Sequence, residues 1–85
     1  MKPVEIYTSP FCGYCHAAKR LLQAKGAAFT EHDVARDPSL RAVMMKRANG
    51  RRTVPQIFIG ETHVGGSDEL HAMEKAGKLD ALLAD

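Results

Sequence analysis

Val4-Glu5-Ile6-Tyr7-Thr8-Ser9-Pro10-Phe11-Cys12-Gly13-Tyr14-Cys15-His16-Ala17-Ala18-Lys19-Arg20-Leu21-Leu22 is the stretch on which the fold turns. Val4 to Thr8 alternates apolar and polar side chains and holds Val, Ile and Tyr, which predicts a strand. Ser9-Pro10 breaks it. From Gly13 to Lys25 the period becomes helical, with Cys15, Ala18, Leu21 and Leu22 on one face. Gly26 is a fitting C-terminal stop. Cys12 and Cys15 therefore stand where a strand hands over to a helix.

Beyond that stretch, Ala28 to Val34 is a second, weaker strand candidate. Asp37-Pro38 predicts a helix start, an N-cap acid followed by Pro at the first helical position. Leu40, Val43 and Met44 are its expected buried face, and Asn49-Gly50 ends it. Gln56 to Ile59 is a short apolar strand, and Gly60-Glu61 turns it into another at Thr62 to Val64. After Gly65-Gly66, Ser67 is expected to cap a helix whose first turn carries Asp68 and Glu69, as the helix dipole favours. Leu70 and Met73 face inward, and a final turn from Lys78 brings in Leu79, Leu82 and Leu83. The order β-α-β-α-β-β-α predicts an α/β fold, a mixed four-stranded sheet flanked by helices. Its first unit should be parallel and right-handed, and its hairpin antiparallel.

With 85 residues, one domain spanning 1–85 is expected. An apolar fraction of 45% is ordinary for a globular chain and argues against disorder. Twelve basic and ten acidic residues leave a net charge of +2, which demands neither a nucleic-acid nor a membrane partner. No apolar run of signal-peptide type follows Lys2, and no stretch nears the ~20 apolar residues of a membrane span. The expected compartment is the reducing cytoplasm, where two cysteines are poor candidates for a structural bridge. The ring they would close is also tiny, so cross-linking it would stabilise the fold by only about 2 kcal/mol. Chemistry is the better reason for keeping both thiols.

The thiolate is the reactive form of cysteine, and a free thiol at neutral pH is only a few per cent ionised. Cys12 falls at the helix N-terminus, where unpaired N–H groups and the dipole favour negative charge. Cys15, one turn in, should be more buried. This asymmetry makes Cys12 the attacking thiol and Cys15 the resolving one. A depressed pKa raises the thiolate fraction, but nucleophilicity falls in step, with a Brønsted slope of about 0.4–0.5. The clearer gain is that Cys12 becomes a good leaving group.

Cys12 to His16 also matches the haem-attachment pattern C-x-x-C-H, which expects an exported chain. A zinc site would need four ligands, and there is no second cysteine pair. His32, His63 and His71 show no ligand spacing and read as surface or loop histidines, and His16 as an exposed helix residue. Lys46 and Arg47 read as solvated surface. Thr53-Val54-Pro55 precedes the third strand, where Pro suits a strand start. The Val54-Pro55 bond is either trans at a turn or cis beside Cys12. In the cis form the Val54 N–H and C=O would face an extended peptide.

Three segments in register carry a resemblance over nearly the whole chain: Tyr7-Thr8 with Cys12-Gly13-Tyr14-Cys15, Thr53 to Gly60, and Gly65 to Leu70. Together they resemble the glutaredoxin family, and within it the short bacterial dithiol members of type three. That resemblance implies a thioredoxin fold and a glutathione-disulfide oxidoreductase, with glutathione as reductant and glutathionylated or disulfide-containing proteins as substrates. It implies a glutathione site in which Tyr14 flanks the tripeptide and Val54 of Thr53-Val54-Pro55 pairs with its backbone. Gly66, Ser67 and Asp68 would receive its γ-glutamyl end; a reading of Ser67 and Asp68 as helix caps is compatible with that, and weighs equally for Ser67 alone. Arg52, or its neighbour Arg51, would reach the glycine carboxylate.

Two departures matter. Many relatives have Lys where Ser9 stands, so Ser9→Lys is expected to lower the Cys12 pKa. Gly13 replaces a common Pro, supplying an N–H and loosening the turn. Some dithiol relatives without that Pro assemble a [2Fe–2S] cluster between two monomers, each giving its N-terminal Cys with two glutathione molecules. The chain is expected to be a monomer unless bridged in that way.

Overall fold

The computed structural model describes residues 1–85. Its elements run β1 (Val4–Thr8), α1 (Gly13–Ala24), β2 (Phe29–Asp33), α2 (Pro38–Arg47), β3 (Gln56–Ile59), β4 (Thr62–Gly65), α3 (Ser67–Lys75) and α4 (Leu79–Leu83). The four strands form one sheet in the order β2-β1-β3-β4. β1 pairs parallel with β2 and antiparallel with β3, and β3 pairs antiparallel with β4. This is the mixed, helix-flanked sheet that the order of elements predicts, and the thioredoxin-like fold that the resemblance implies. No helix is long and apolar enough to cross a membrane.

Side chains alternate across each strand, so the sheet has two different faces. One carries Val4, Ile6, Ile57 and Ile59, packed with Ala18 and Leu22 of α1, Leu70 of α3, and Leu79 and Leu83 of α4. The other carries Tyr7 and Phe58, covered by Met44 and Ala48 from α2 and its end. Each large aliphatic in the first group is fully buried and contributes about 1.5–3 kcal/mol by its burial. A domain this small has about 5–15 kcal/mol of net stability, so few of these side chains could be truncated together.

α2 starts where Asp37-Pro38 predicts. Asp37 accepts from the Ser39 N–H at 3.1 Å, and Pro38 is the first helical residue. Its buried face differs from the expected one: Val43 is 47% exposed. The stripe runs through Leu40, Met44 and Ala48, a spacing of four that turns Val43 off the sheet. Arg47 differs as well. It lies half-buried against the sheet, its guanidinium 4.1 Å from the Phe58 ring centroid. It bonds both oxygens of Glu5, at 3.1 and 2.9 Å, and donates to the Tyr7 hydroxyl at 2.8 Å. A long aliphatic stem lets a cation cover an aromatic face while its charge finds a partner. A basic cluster read along the chain does not reveal that.

Candidate active site

β1 delivers the chain to the site through Thr8, which is buried. Its hydroxyl donates to Glu31 at 2.7 Å, and Lys19 of α1 donates to the same carboxylate at 2.9 Å. Those two bonds, the Thr8 hydroxyl first, hold the Glu31 carboxyl below the usual carboxylate range. The last residue of β1 is thus tied both to the neighbouring strand and to the helix that follows.

Cys12 is the N-cap of α1. Its Sγ accepts from the Cys15 N–H at 3.1 Å, using one of the donors that a helix start leaves without an intrahelical partner. A thiolate placed there gains from that bond and from the helix dipole. Cys12 is partly exposed, whereas Cys15 is fully buried. The two are joined as a disulfide. The expected asymmetry of access is therefore present. Phe11 and Tyr14 beside the pair are exposed, the first completely. His16 is exposed, as expected.

The Val54-Pro55 bond is cis, the sharper of the two sequence expectations. The Val54 carbonyl oxygen lies 3.8 Å from Cys12 Sγ. Sheet pairing begins only at Gln56, so the Val54 backbone groups are not committed to the ladder. An open cleft of about 220 Å³ runs from here to the start of α3. It is lined by Tyr14 and Arg51, by Thr53, Val54 and Pro55, and by Gly66, Ser67, Asp68 and Glu69.

Nine of the ten residues singled out from the sequence come together at this end of the sheet: the two cysteines, side by side, and seven that line the cleft. Arg52 does not line it. Arg52 is exposed, and its carbonyl accepts from Arg41 at 2.6 Å. Arg51 faces the cleft instead, held by Glu69 at 2.8 Å. Ser67 also departs from expectation. The N-cap of α3 is Gly66, and Ser67 is the first helical residue, buried, with its hydroxyl 3.2 Å from His71 Nδ1. Glu69 reaches back to accept from the Gly66 N–H at 2.8 Å, which fixes the start one residue early. That bond first, and Arg51 second, hold the Glu69 carboxyl low. Glu69 was legible as a dipole-favouring acid but not as the anchor of Arg51. The signal for it is a Glu at the third helical position, the reach-back half of a capping box.

A cysteine pair on a strand-to-helix turn, joined as a disulfide, one residue partly exposed and the other buried, next to a cleft edged by free backbone groups, defines a thioredoxin-fold thiol–disulfide oxidoreductase. The family model for glutaredoxin matches residues 4–64. A glutaredoxin of Pseudomonas aeruginosa is 60% identical over 84 residues, covering 99% of each chain. Glutaredoxin 3 of Escherichia coli K12 is 51% identical over 83 residues, covering 98% of this chain and 99% of the other. A buckwheat glutaredoxin solved as a complex with glutathione is 30% identical and superposes with a TM-score of 0.87, covering 96% of this chain and 76% of the other. The chain belongs to the glutaredoxin family. Glutaredoxins are glutathione-dependent thiol oxidoreductases, and this chain is an enzyme of that class.

Proposed function

We propose that the chain reduces protein–glutathione mixed disulfides and protein disulfides in the cytoplasm, through Cys12, with glutathione bound in the cleft. The observation that carries this reading is the partly exposed Cys12, whose Sγ caps a helix 3.8 Å from the carbonyl of the cleft residue Val54, with Cys15 fully buried. The start of α3 presents N–H groups to a carboxylate, and the Asp68 carboxylate there suits an ammonium group. An α-amino acid end, such as the γ-glutamyl unit, offers both. The Val54 backbone can pair with an extended tripeptide as an added strand would. Thr53 and Pro55 frame it, Tyr14 flanks it and Arg51, rather than Arg52, meets its other carboxylate.

In the first route the Cys12 thiolate attacks the glutathione sulfur of the mixed disulfide. A Cys12–glutathione disulfide forms, and the protein thiolate leaves and takes a proton. A second glutathione thiolate attacks the bound glutathione sulfur. Glutathione disulfide departs and the Cys12 thiolate returns. In the second route Cys12 attacks a protein disulfide, and Cys15 then attacks Cys12 Sγ. The protein leaves fully reduced and the Cys12–Cys15 bridge closes. Two glutathione molecules reopen it, leaving as glutathione disulfide.

Glutathione-dependent turnover of a glutathionylated protein by wild type, Cys12→Ser and Cys15→Ser tests this. Activity should be lost only in Cys12→Ser, because the first route needs no second thiol. Full activity of that variant refutes the assignment.

A cluster carrier is the second reading, and it rests on Gly13 standing where the common motif has Pro, as in the dithiol relatives that assemble such a cluster. No three His, Cys, Asp or Glu side chains are grouped to hold a metal ion. One copy therefore does not supply the ligands of a [2Fe–2S] cluster. Such a cluster would need Cys12 from two copies and two glutathione thiols. A brown dimer after anaerobic reconstitution with glutathione supports it, and a colourless monomer contradicts it.

A further inference from the structure

Of the three side-chain amides, Gln23, Asn49 and Gln56, only Gln56 is buried, and it is buried completely. Its Nε2 lies 3.0 Å from the Thr53 carbonyl oxygen and 3.3 Å from Thr53 Oγ1. Its Oε1 lies 2.7 Å from His63 Nε2. A carbonyl oxygen only accepts, so the nitrogen of Gln56 must face Thr53. The amide oxygen then faces His63, and His63 Nε2 must carry a proton. The bonds run in one direction: His63 Nε2–H donates to Gln56, and Gln56 donates to Thr53.

His63 is itself held. It pairs with Phe58 across β3 and β4, and its ring stacks on the Phe58 ring at a centroid distance of 4.9 Å. Arg47 lies over that same phenylalanine. Burial is the main cause that keeps the His63 pKa below the ordinary histidine value. Arg51 and Arg47 add to it, and Glu69 opposes them. The neutral ring, protonated on Nε2, is thus the form the surroundings favour. Neither Gln56 nor His63 lines the cleft. The chain of bonds ends on the residue before Val54, whose carbonyl faces Cys12.

We propose that Gln56 and His63 are positioning residues for the Thr53-Val54-Pro55 segment: the buried amide fixes the Thr53 carbonyl from behind, and the histidine fixes the amide. The proposal rests on the reading of the cleft as the glutathione site. Thr53 and Val54 sit where an extended tripeptide would lie, so freeing Thr53 loosens the edge that receives it. The effect falls on binding and not on the sulfur of Cys12.

The test compares wild type with Gln56→Met, His63→Phe and the double variant. Methionine keeps the unbranched shape, and phenylalanine keeps the ring stack. With a glutathionylated peptide as substrate, Gln56→Met should raise KM about tenfold, because both contacts of the amide nitrogen with Thr53 are lost. Its kcat and the alkylation rate of reduced Cys12 by iodoacetamide should stay within about twofold. His63→Phe should raise KM about threefold. The double variant should be no worse than Gln56→Met, because both act through Thr53. Nitrogen-15 spectra of wild type should show His63 protonated on Nε2. An unchanged KM in folded Gln56→Met, additive effects, or a His63 proton on Nδ1 each overturn the proposal. If Gln56→Met does not fold, the His63→Phe KM and the wild-type tautomer decide. A wild type inert on the peptide refutes the glutathione reading instead, and the tautomer still reports on the bonds from His63 to Thr53.

Discussion

Replacing Arg51 by Gln should weaken the use of a glutathionylated peptide about fivefold, whereas the same change at Arg52 should leave it unaltered. Arg51 lies in the cleft with its guanidinium 2.8 Å from the Glu69 carboxylate, and both side chains are a little over two-fifths exposed. A hydrogen bond between charged groups is worth about 1.5–3 kcal/mol, but exposed ion pairs are worth about 0–1 kcal/mol. Partial exposure and competition from Glu69 put the net loss near 1 kcal/mol, or about fivefold. Without Arg51, the Glu69 carboxylate would also face the incoming carboxylate unshielded, so tenfold is an upper expectation. Steady-state KM measured at low and high salt is the assay. The Debye length shrinks from about 8 Å at physiological ionic strength to about 3 Å at 1 M. The wild-type KM should therefore rise with salt and that of Arg51→Gln should stay nearly flat. An Arg52→Gln variant that loses as much, or an Arg51→Gln variant that loses nothing, refutes the placement of the guanidinium.

A second outcome belongs to the same corner of the molecule. Gly65 has φ +115°, and a Cβ there would run into Glu69 Oε1 and stand 2.9 Å from an Arg51 nitrogen. Gly65→Ala should cost about 2 kcal/mol, a fall in Tm of roughly 8–16 °C for a domain of this size. A thermal melt within a degree or two of wild type would count against it. Acid should destabilise the fold in two stages. His63 has a depressed folded pKa, so its contribution is present above the unfolded value of about 6.5 and is lost as pH falls below it. The Glu5, Glu31 and Glu69 carboxyls are likewise held low, Glu5 mainly by its bond from Arg47. Their share is complete above the unfolded value of about 4.3 and goes as pH falls through their folded values. Urea unfolding across pH should show both declines, and His63→Phe should abolish only the first. A profile flat from pH 7 to pH 5 in wild type would show that His63 makes no such contribution.

The fold was legible because its signals are local. The change from period two to period 3.6 around Cys12, the Asp37-Pro38 start and the Gly60-Glu61 turn each act within a few residues. The Cys12 N-cap follows from the same reading, since a helix start needs an acceptor where a strand has just ended. What escaped the sequence depends on contacts across the sheet. Arg47 reads as surface until α2 is laid over Phe58, which lies eleven residues further on. Arg51 and Arg52 look alike along the chain, and only the path into Thr53 decides which one turns toward Glu69. Gln56 reads as one more strand residue. Its amide acquires a role only once β4 brings His63 alongside it, in a pairing that shifts register between Ile57 and Phe58.

Which sulfur receives glutathione is the most direct test. Cys15→Ser and Cys12→Ser would each be treated with glutathione disulfide and digested, and the modified residue located by mass spectrometry. Rapid adduct formation is expected on Cys12 in the first variant and almost none on the buried Cys15 in the second. An adduct forming as fast on Cys15, with turnover retained, would contradict it.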